Sequence, residues 1–185
     1  MAFLQGIREK IGAFKARKNR SERKKGNKKV SYSNVQHIGI IFNASDYRIV
    51  DEVKAVVKDL TADGKSVKAI GYVDLTKATE QPMTTLRFDF FTSKDLDFFF
   101  VPKAMVCANF MEMEFDVLIE LNYDNDLPIN YLASCSKAFI KAGSNISGTT
   151  NYDLRIELKR KESPKYVLEQ IIRYLKMMNG NQPSA

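Results

Sequence analysis

The chain has 185 residues, of which 44% are hydrophobic and 28% charged, and this content supports a sizeable core and favours one globular domain over two. No stretch approaches the roughly 20 apolar residues of a membrane span, and the beginning lacks the apolar core of a secretory signal, so we expect a cytoplasmic protein. The two cysteines, Cys107 and Cys135, lie far apart among apolar neighbours, which favours reduced core thiols over a disulfide or a zinc site.

The positive charge is concentrated at the beginning of the chain. The formal net charge is +7, but residues 1–30 hold eleven of the 29 basic residues and only two of the 22 acidic ones. The first 30 residues therefore carry +9 and the remainder −2, so a polyanion should be bound by this arm. The basic residues of the arm are Arg8, Lys10, Lys15, Arg17, Lys18, Arg20, Arg23, Lys24, Lys25, Lys28 and Lys29.

The pattern of residues 1–18 predicts an amphipathic helix. Its apolar residues fall within one narrow arc of the helical surface, and basic side chains flank that arc. The segment that follows is polar and basic, so we predict a helix and tether over residues 1–33, one domain over 34–180 and a tail at 181–185. The residues of the apolar arc are Phe3, Leu4, Ile7, Ile11 and Phe14.

Residues 35–73 predict a strand, a helix and a second strand. The run at 38–42 is apolar and rich in β-branched residues, and the apolar residues from Ile49 to Leu60 recur at helical spacing. Ser45 or Asp46 can cap the helix, and Gly64 can end it in the left-handed conformation. Two strands joined by a helix lie parallel with a right-handed crossover, so this unit is the beginning of a parallel sheet.

An aromatic region follows a polar connection. Its phenylalanines are too many to leave in water, so we expect them to cover a sheet edge or to form one or two short strands. Residues 104–113 predict a helix, which would pack through Met105, Val106, Phe110 and Met113. The phenylalanines are Phe88, Phe90, Phe91, Phe98, Phe99 and Phe100.

The second half of the chain continues the alternation of strands and helices. Residues 116–121 predict a buried strand, and Pro128 suits the first turn of the next helix. Residues 139–143 are either the end of that helix or a short strand, and we prefer the strand. Residues 154–158 alternate as in an edge strand, and a last helix begins after Ser163 and ends near Gly180.

These elements predict a three-layer α/β fold, Rossmann-like or flavodoxin-like, with a mostly parallel sheet and a basic N-terminal helical arm. The pattern IGIIFNASDY…FFTSKDLDFFFVPK…FDVLIELN…PINYLASCSKAFIKAG…YDLRIEL resembles a family of uncharacterised proteins common in Bacteroidota, which likewise begin with a basic helical segment. The matching residues are core and turn positions. The resemblance implies an α/β layered fold and no activity, because the family has no assigned catalytic residues to carry over.

Polar side chains follow two of the predicted strands. Because the carboxyl ends of parallel strands share one edge, these side chains form the best candidate ligand pocket, although helix caps and turns use the same residue types. The glycine pattern of dinucleotide-binding turns is missing, and we predict no cofactor and no metal. The single histidine, His37, lies at the opposite edge, which disfavours a catalytic triad. The edge residues are Asn43, Ser45, Asp46, Asn122, Asp124 and Asp126.

The basic arm is the strongest functional signal in the sequence. We expect a non-enzymatic cytoplasmic protein whose arm binds a polyanion, RNA or the ribosome first and an anionic membrane surface second. The competing interpretation of the arm is a solvated tail whose first helix merely docks on the domain. The alternative function is a small-ligand or nucleotide-binding domain, or a small enzyme, that uses the sheet edge.

Overall fold

The computed structural model describes residues 2–19, 30–121, 123–124, 126–144, 152–160 and 162–178, with the side chains of the first helix from Gly6 onwards. The helices are α1 Ala2–Lys18, α2 Tyr47–Ala62, α3 Ala104–Glu112, α4 Leu127–Cys135 and α5 Pro164–Met177. The strands are β1 His37–Asn43, β2 Ser66–Val73, β3 Phe88–Thr92, β4 Val117–Leu121, β5 Ile140–Ser144 and β6 Leu154–Ile156.

The six strands form one sheet in the order β3-β2-β1-β4-β5-β6, and every neighbouring pair is parallel. Helices α2 and α5 cover one face of the sheet, and α3 and α4 cover the other. These layers confirm the predicted α/β fold. The chain moves outward from β1 to β3 and then, on the other side, from β4 to β6, so the strand order reverses between β1 and β4.

The predicted unit of β1, α2 and β2 is confirmed. The two strands pair in parallel from His37 opposite Ser66 to the end of β1. Asp46 caps α2 by accepting a hydrogen bond from the backbone N–H of Arg48, and Gly64 adopts a φ of 78° after the helix. The apolar stripe of α2 is buried, because it packs against the sheet and against α5.

Two charged side chains fix the amino end of β1. The carboxylate of Asp116 accepts hydrogen bonds from the backbone N–H groups of Gln36 at 2.7 Å and His37 at 2.9 Å. The ammonium of Lys65 donates to the carbonyl oxygen of Val35 at 2.9 Å. Asp116 was expected inside a strand, but β4 begins at Val117 and Asp116 binds the neighbouring chain segment instead.

Both short strands predicted in the second half of the chain are present. β5 covers residues 140–144, which decides between helix end and strand. β6 lies at the edge of the sheet with Arg155 exposed, as its alternating pattern predicts. The core also extends before residue 34, since Val30 is buried within it. The expected helix end at Gly180 lies outside the described residues.

The aromatic region departs from expectation in part. Three of its phenylalanines belong to β3, which is a single edge strand. Phe98 was expected to be covered, but it is 66% exposed at a tight turn over residues 97–100. Met105 was expected to pack in the core, yet it is 89% exposed, and α3 packs through Cys107 and Phe110. In the part of the chain that the structure describes, no helix is long and apolar enough to cross a membrane.

We expect replacement of Asp116 by alanine to lower the free energy of unfolding by about 2–3 kcal/mol, because two backbone N–H groups would lose a buried, charged acceptor. Asp116→Asn should cost less, since both hydrogen bonds go to one carboxylate oxygen and an amide oxygen in its place can accept both. Urea denaturation measures both values, with Glu112→Ala at an exposed helix end as the control. An alanine variant as stable as the control would show that these hydrogen bonds do not hold β1.

Candidate functional site

Helix α1 packs on the domain against α4 and the turn at residues 97–100. The Nε of Arg8 donates a hydrogen bond to the carbonyl oxygen of Phe98 at 2.6 Å. The ammonium of Lys15 lies 3.0 Å from a carboxylate oxygen of Asp97. At the end of the helix, the amide of Asn19 donates to the hydroxyl of Tyr131 at 3.1 Å. The helix is therefore held along its length by polar contacts.

Aromatic rings supply a second set of contacts for the same two cations. The guanidinium of Arg8 lies 4.2 Å from the ring centre of Phe98 and 4.4 Å from that of Phe100. The ammonium of Lys15 lies 4.2 Å from the ring centre of Phe99. All three distances suit cation–π attraction. Two basic residues of the predicted polyanion-binding set are thus engaged by the domain itself.

Small residues on α1 make the close approach possible. Gly12 and Ala16 are buried, and they lie one helical turn apart on the docked side. A Cβ on Gly12 would lie 2.6 Å from a methyl group of Leu127, and it would also collide with the carbonyl oxygen of Phe99. Only glycine fits this position without displacing the helix or its neighbours.

The turn that receives α1 is internally fixed. One carboxylate oxygen of Asp97 accepts hydrogen bonds from the backbone N–H groups of Phe99 at 2.8 Å and Val101 at 3.0 Å. Burial alone would raise the pKa of Asp97, but the hydrogen bonds from Val101, Lys15 and Phe99 hold that pKa below its ordinary value. The carboxylate is therefore charged at neutral pH and available to the Lys15 ammonium.

The apolar arc of α1 points away from the domain. Ile7 is 40% exposed, Ile11 38% and Phe14 65%, because the helix docks through the side that carries Gly12 and Ala16. The sequence does not show which of these two sides docks on the domain, and the docked side was missed. Its only sequence signal is the pair of small residues four positions apart.

Basic side chains surround the exposed arc. Lys10, Arg17 and Lys18 are all exposed, and on a helix with 100° between residues they lie beside Ile7, Ile11 and Phe14. We call these six residues the outward face of α1. The side chains of Phe3 and Leu4 lie outside the described residues, as do the remaining basic residues of the predicted set, Arg20, Arg23, Lys24, Lys25, Lys28 and Lys29.

A cleft of about 500 Å³ lies at the carboxyl edge of the sheet, where the strand order reverses. Asn43, Ser45, Asp46 and Asp124 line it, so the structure brings these predicted residues together. Asn122 lies outside the described residues. The amide of Asn43 donates to a carboxylate oxygen of Asp126 at 2.7 Å, which links the ends of β1 and β4.

The polar groups at this edge are largely used by the fold. The amide oxygen of Asn43 accepts from the N–H of Ser45, and the hydroxyl of Ser45 accepts from the N–H of Asp74 at 2.9 Å. Asp46 caps α2 and also binds the side chain of Arg48. Burial raises the pKa of Asp126, opposed by the hydrogen bond from Asn43. These residues therefore stabilise turns and a helix start, which was the competing interpretation.

Tyr123 is the exception in the cleft. Its hydroxyl oxygen is buried and has no hydrogen-bond partner among the described residues. Burial, with smaller contributions from Glu52 and Glu162, raises the pKa of this hydroxyl well above its ordinary value, so it remains a neutral donor. The sequence did not single out Tyr123, because a tyrosine after a strand carries no specific signal.

The remaining chemically reactive side chains do not converge on the cleft. His37 begins β1 at the amino edge of the sheet, whereas the cleft lies at the carboxyl edge. Cys107 and Cys135 are free thiols whose pKa values burial raises. Within the described ranges, no group of three or more histidine, cysteine, aspartate or glutamate residues could hold a metal ion.

The chain belongs to a family of unknown function, DUF6913, whose family model matches residues 8–178. The matched range covers most of α1 and all of the sheet, so the docked helix and the domain belong to one family unit. A search among curated proteins finds no match for the chain.

We expect Gly12→Ala to loosen α1, at a cost of about 1–3 kcal/mol, because the added methyl group collides with Phe99 and Leu127. Gly6→Ala is the matched control, since nothing lies within 4 Å of its position and alanine favours a helix by about 1 kcal/mol. Amide hydrogen exchange in α1 should therefore rise in the first variant and fall in the second. Equal protection in both variants would contradict the docked geometry at Gly12.

We expect Tyr123→Phe to raise the free energy of unfolding by about 1 kcal/mol, because it removes a buried hydroxyl that has no partner. Tyr47→Phe in the same cleft is the control, and its exposed ring should leave stability unchanged within about 0.5 kcal/mol. Thermal and urea denaturation measure both. A destabilised Tyr123→Phe would mean that the hydroxyl is satisfied in solution.

Proposed function

We propose that this protein attaches peripherally to anionic lipid membranes through the outward face of α1. The observation that carries the proposal is that α1 docks through Arg8, Gly12 and Lys15 while Ile7, Ile11 and Phe14 remain exposed. A helix that docks only for stability would bury its most apolar side. An apolar arc flanked by cations is typical of helices that lie in the membrane interface.

The charges of the outward face complement an anionic surface. Lys10, Arg17 and Lys18 are exposed beside the arc, and each basic residue near an anionic bilayer contributes about 1 kcal/mol. Inserting the exposed parts of Ile7 and Ile11 contributes on the order of another 1 kcal/mol each. Neither contribution alone gives firm attachment, so the face requires both anionic headgroups and a hydrocarbon phase.

RNA and the ribosome, the first expectation from the sequence, fit this surface less well. Binding to phosphates uses cations and leaves an apolar arc in water. A second copy of the chain also fits less well, because pairing two outward faces would bring their basic flanks together. The domain beyond the arm carries a charge of −2, so the arm is the part that an anionic surface attracts.

The test uses full-length point variants, because deleting residues 1–33 would also remove Val30 from the core. We expect Ile7→Ser with Ile11→Ser to weaken binding to phosphatidylglycerol-containing vesicles about 30-fold. Met83→Ser with Leu86→Ser is the matched control, because both side chains are exposed but lie outside α1. Sedimentation with vesicles measures the partition coefficient.

The charge variant Lys10→Gln, Arg17→Gln and Lys18→Gln should weaken binding to anionic vesicles about 100-fold and leave binding to neutral phosphatidylcholine vesicles unchanged. Single-stranded RNA is the competing ligand in the same assay. Tight RNA binding that survives the double serine variant, together with weak vesicle binding, would overturn the proposal in favour of a nucleic-acid partner. A stable dimer that the serine variant dissociates would overturn it in favour of self-association.

A second candidate function is the binding of a small polar ligand in the cleft, and the buried hydroxyl of Tyr123 favours it. A ligand acceptor would satisfy this donor. A thermal-shift screen of polar metabolites is the test, and a true ligand should stabilise the wild type more than Tyr123→Phe. Equal stabilisation of both proteins would remove Tyr123 from any such site.

A further inference from the structure

We propose that the turn at residues 97–100 is a second membrane contact, in which Phe98 inserts beside α1 and fixes the orientation of the domain on the lipid surface. This inference rests on the proposed function of α1. It adds a contact from a different part of the chain, about 80 residues later. The membrane-binding surface is then a composite of a helix and a turn.

Phe98 is presented by a rigid turn. Leu96 and Pro102 form an antiparallel bridge at its base, and the N–H of Asp97 donates to the carbonyl oxygen of Val101 at 2.7 Å. Phe100 completes the turn with a φ of 60°, a backbone conformation that residues other than glycine rarely adopt. The turn therefore holds an exposed phenylalanine ring at its tip instead of folding it inward.

The ring of Phe98 borders the outward face of α1. The carbonyl oxygen of Phe98 accepts a hydrogen bond from Arg8, and the ring centre of Phe98 lies 4.2 Å from the Arg8 guanidinium. On the helical surface Arg8 lies about 60° from Ile11, at the margin between the docked and the exposed sides. Phe98 thus stands at the edge of the apolar arc, on the side where the turn meets the helix.

The charge around the turn also suits an anionic surface. Lys94 and Lys103 are exposed on either side of it, and the ammonium of Lys103 donates to the carbonyl oxygen of Lys94 at 3.2 Å. The nearby acidic groups are engaged: Asp97 binds Lys15, and Asp95 binds Thr92. An exposed aromatic ring among cations is the combination found where side chains enter the interface of anionic membranes.

The exposed side chain of Leu86 lacks this setting. Leu86 is 88% exposed, but its carbonyl oxygen accepts from Lys68 near the beginning of β2. Leu86 precedes β3, whereas Phe98 follows it, so the two side chains lie toward opposite edges of the sheet. If the outward face of α1 lies on the membrane, Phe98 reaches the lipid and Leu86 does not. Leu86 is therefore a matched control, because it is exposed like Phe98 but lies away from the outward face of α1.

The test uses the absence of tryptophan from the chain, which makes a single introduced tryptophan a unique reporter. Phe98→Trp keeps an aromatic ring over Arg8, Phe14→Trp reports on α1, and Leu86→Trp is the control. Each full-length variant is mixed with vesicles of phosphatidylglycerol and phosphatidylcholine, with and without brominated acyl chains. We expect the emission of Phe98→Trp and Phe14→Trp to move to shorter wavelength and to be quenched by bromine, with Leu86→Trp unchanged.

The outcomes separate the two proposals. A response of Phe14→Trp without one of Phe98→Trp would overturn the second contact and leave the proposed function of α1 in place. A response of neither would overturn both, and a response of Leu86→Trp equal to that of Phe98→Trp would overturn the fixed orientation. As an independent measure, Phe98→Ser should weaken vesicle binding about 5- to 10-fold, whereas Leu86→Ser should not.

Discussion

β1 and β4 pair in parallel at the centre of the sheet, with Ile38 opposite Val117 and Phe42 opposite Leu121. Both strands are buried on both faces, so helices must cover both sides of the sheet. The strand order reverses at this pair, and the chain that leaves β4 must turn over the carboxyl edge to enter α4. The cleft is the space beside that turn. α4 in turn carries Leu127 and Tyr131, which contact α1.

Helix α1 packs on the domain through the side that makes specific contacts, and not through the side with the larger apolar area. Burying the arc of Ile7, Ile11 and Phe14 would remove more hydrocarbon from water than burying Gly12 and Ala16. The observed side offers instead a close approach at Gly12, an ion pair at Lys15 and stacked rings for Arg8. A helix with two usable sides can pack on its own domain with one and keep the other for a partner.

Much of the fold could be predicted from the sequence where local and global signals agree. The stripe of α2, its Asp46 cap and the left-handed Gly64 all indicate one helix between two strands, and the structure has it. Prediction failed where a tertiary partner decides. Met105 fits an apolar helical stripe, but α3 packs through Cys107, and no periodicity reveals that. For the same reason, the sequence does not indicate that Asp116 accepts hydrogen bonds at the beginning of β1 or that Tyr123 faces a cleft.

The site predictions divide in the same way. Residue type and predicted strand order were enough to place Asn43, Ser45 and Asp46 at one edge of the sheet. Their hydrogen bonds to one another and to the neighbouring backbone could be seen only in the structure. The charge imbalance could be counted from the sequence. Which side of α1 is exposed could be seen only in the structure. Under the proposed function, orientation follows from both, since an arm of +9 on a domain of −2 would turn toward an anionic surface. Since α1 is bound to the turn at residues 97–100, the same electrostatic attraction would also bring that turn to the surface.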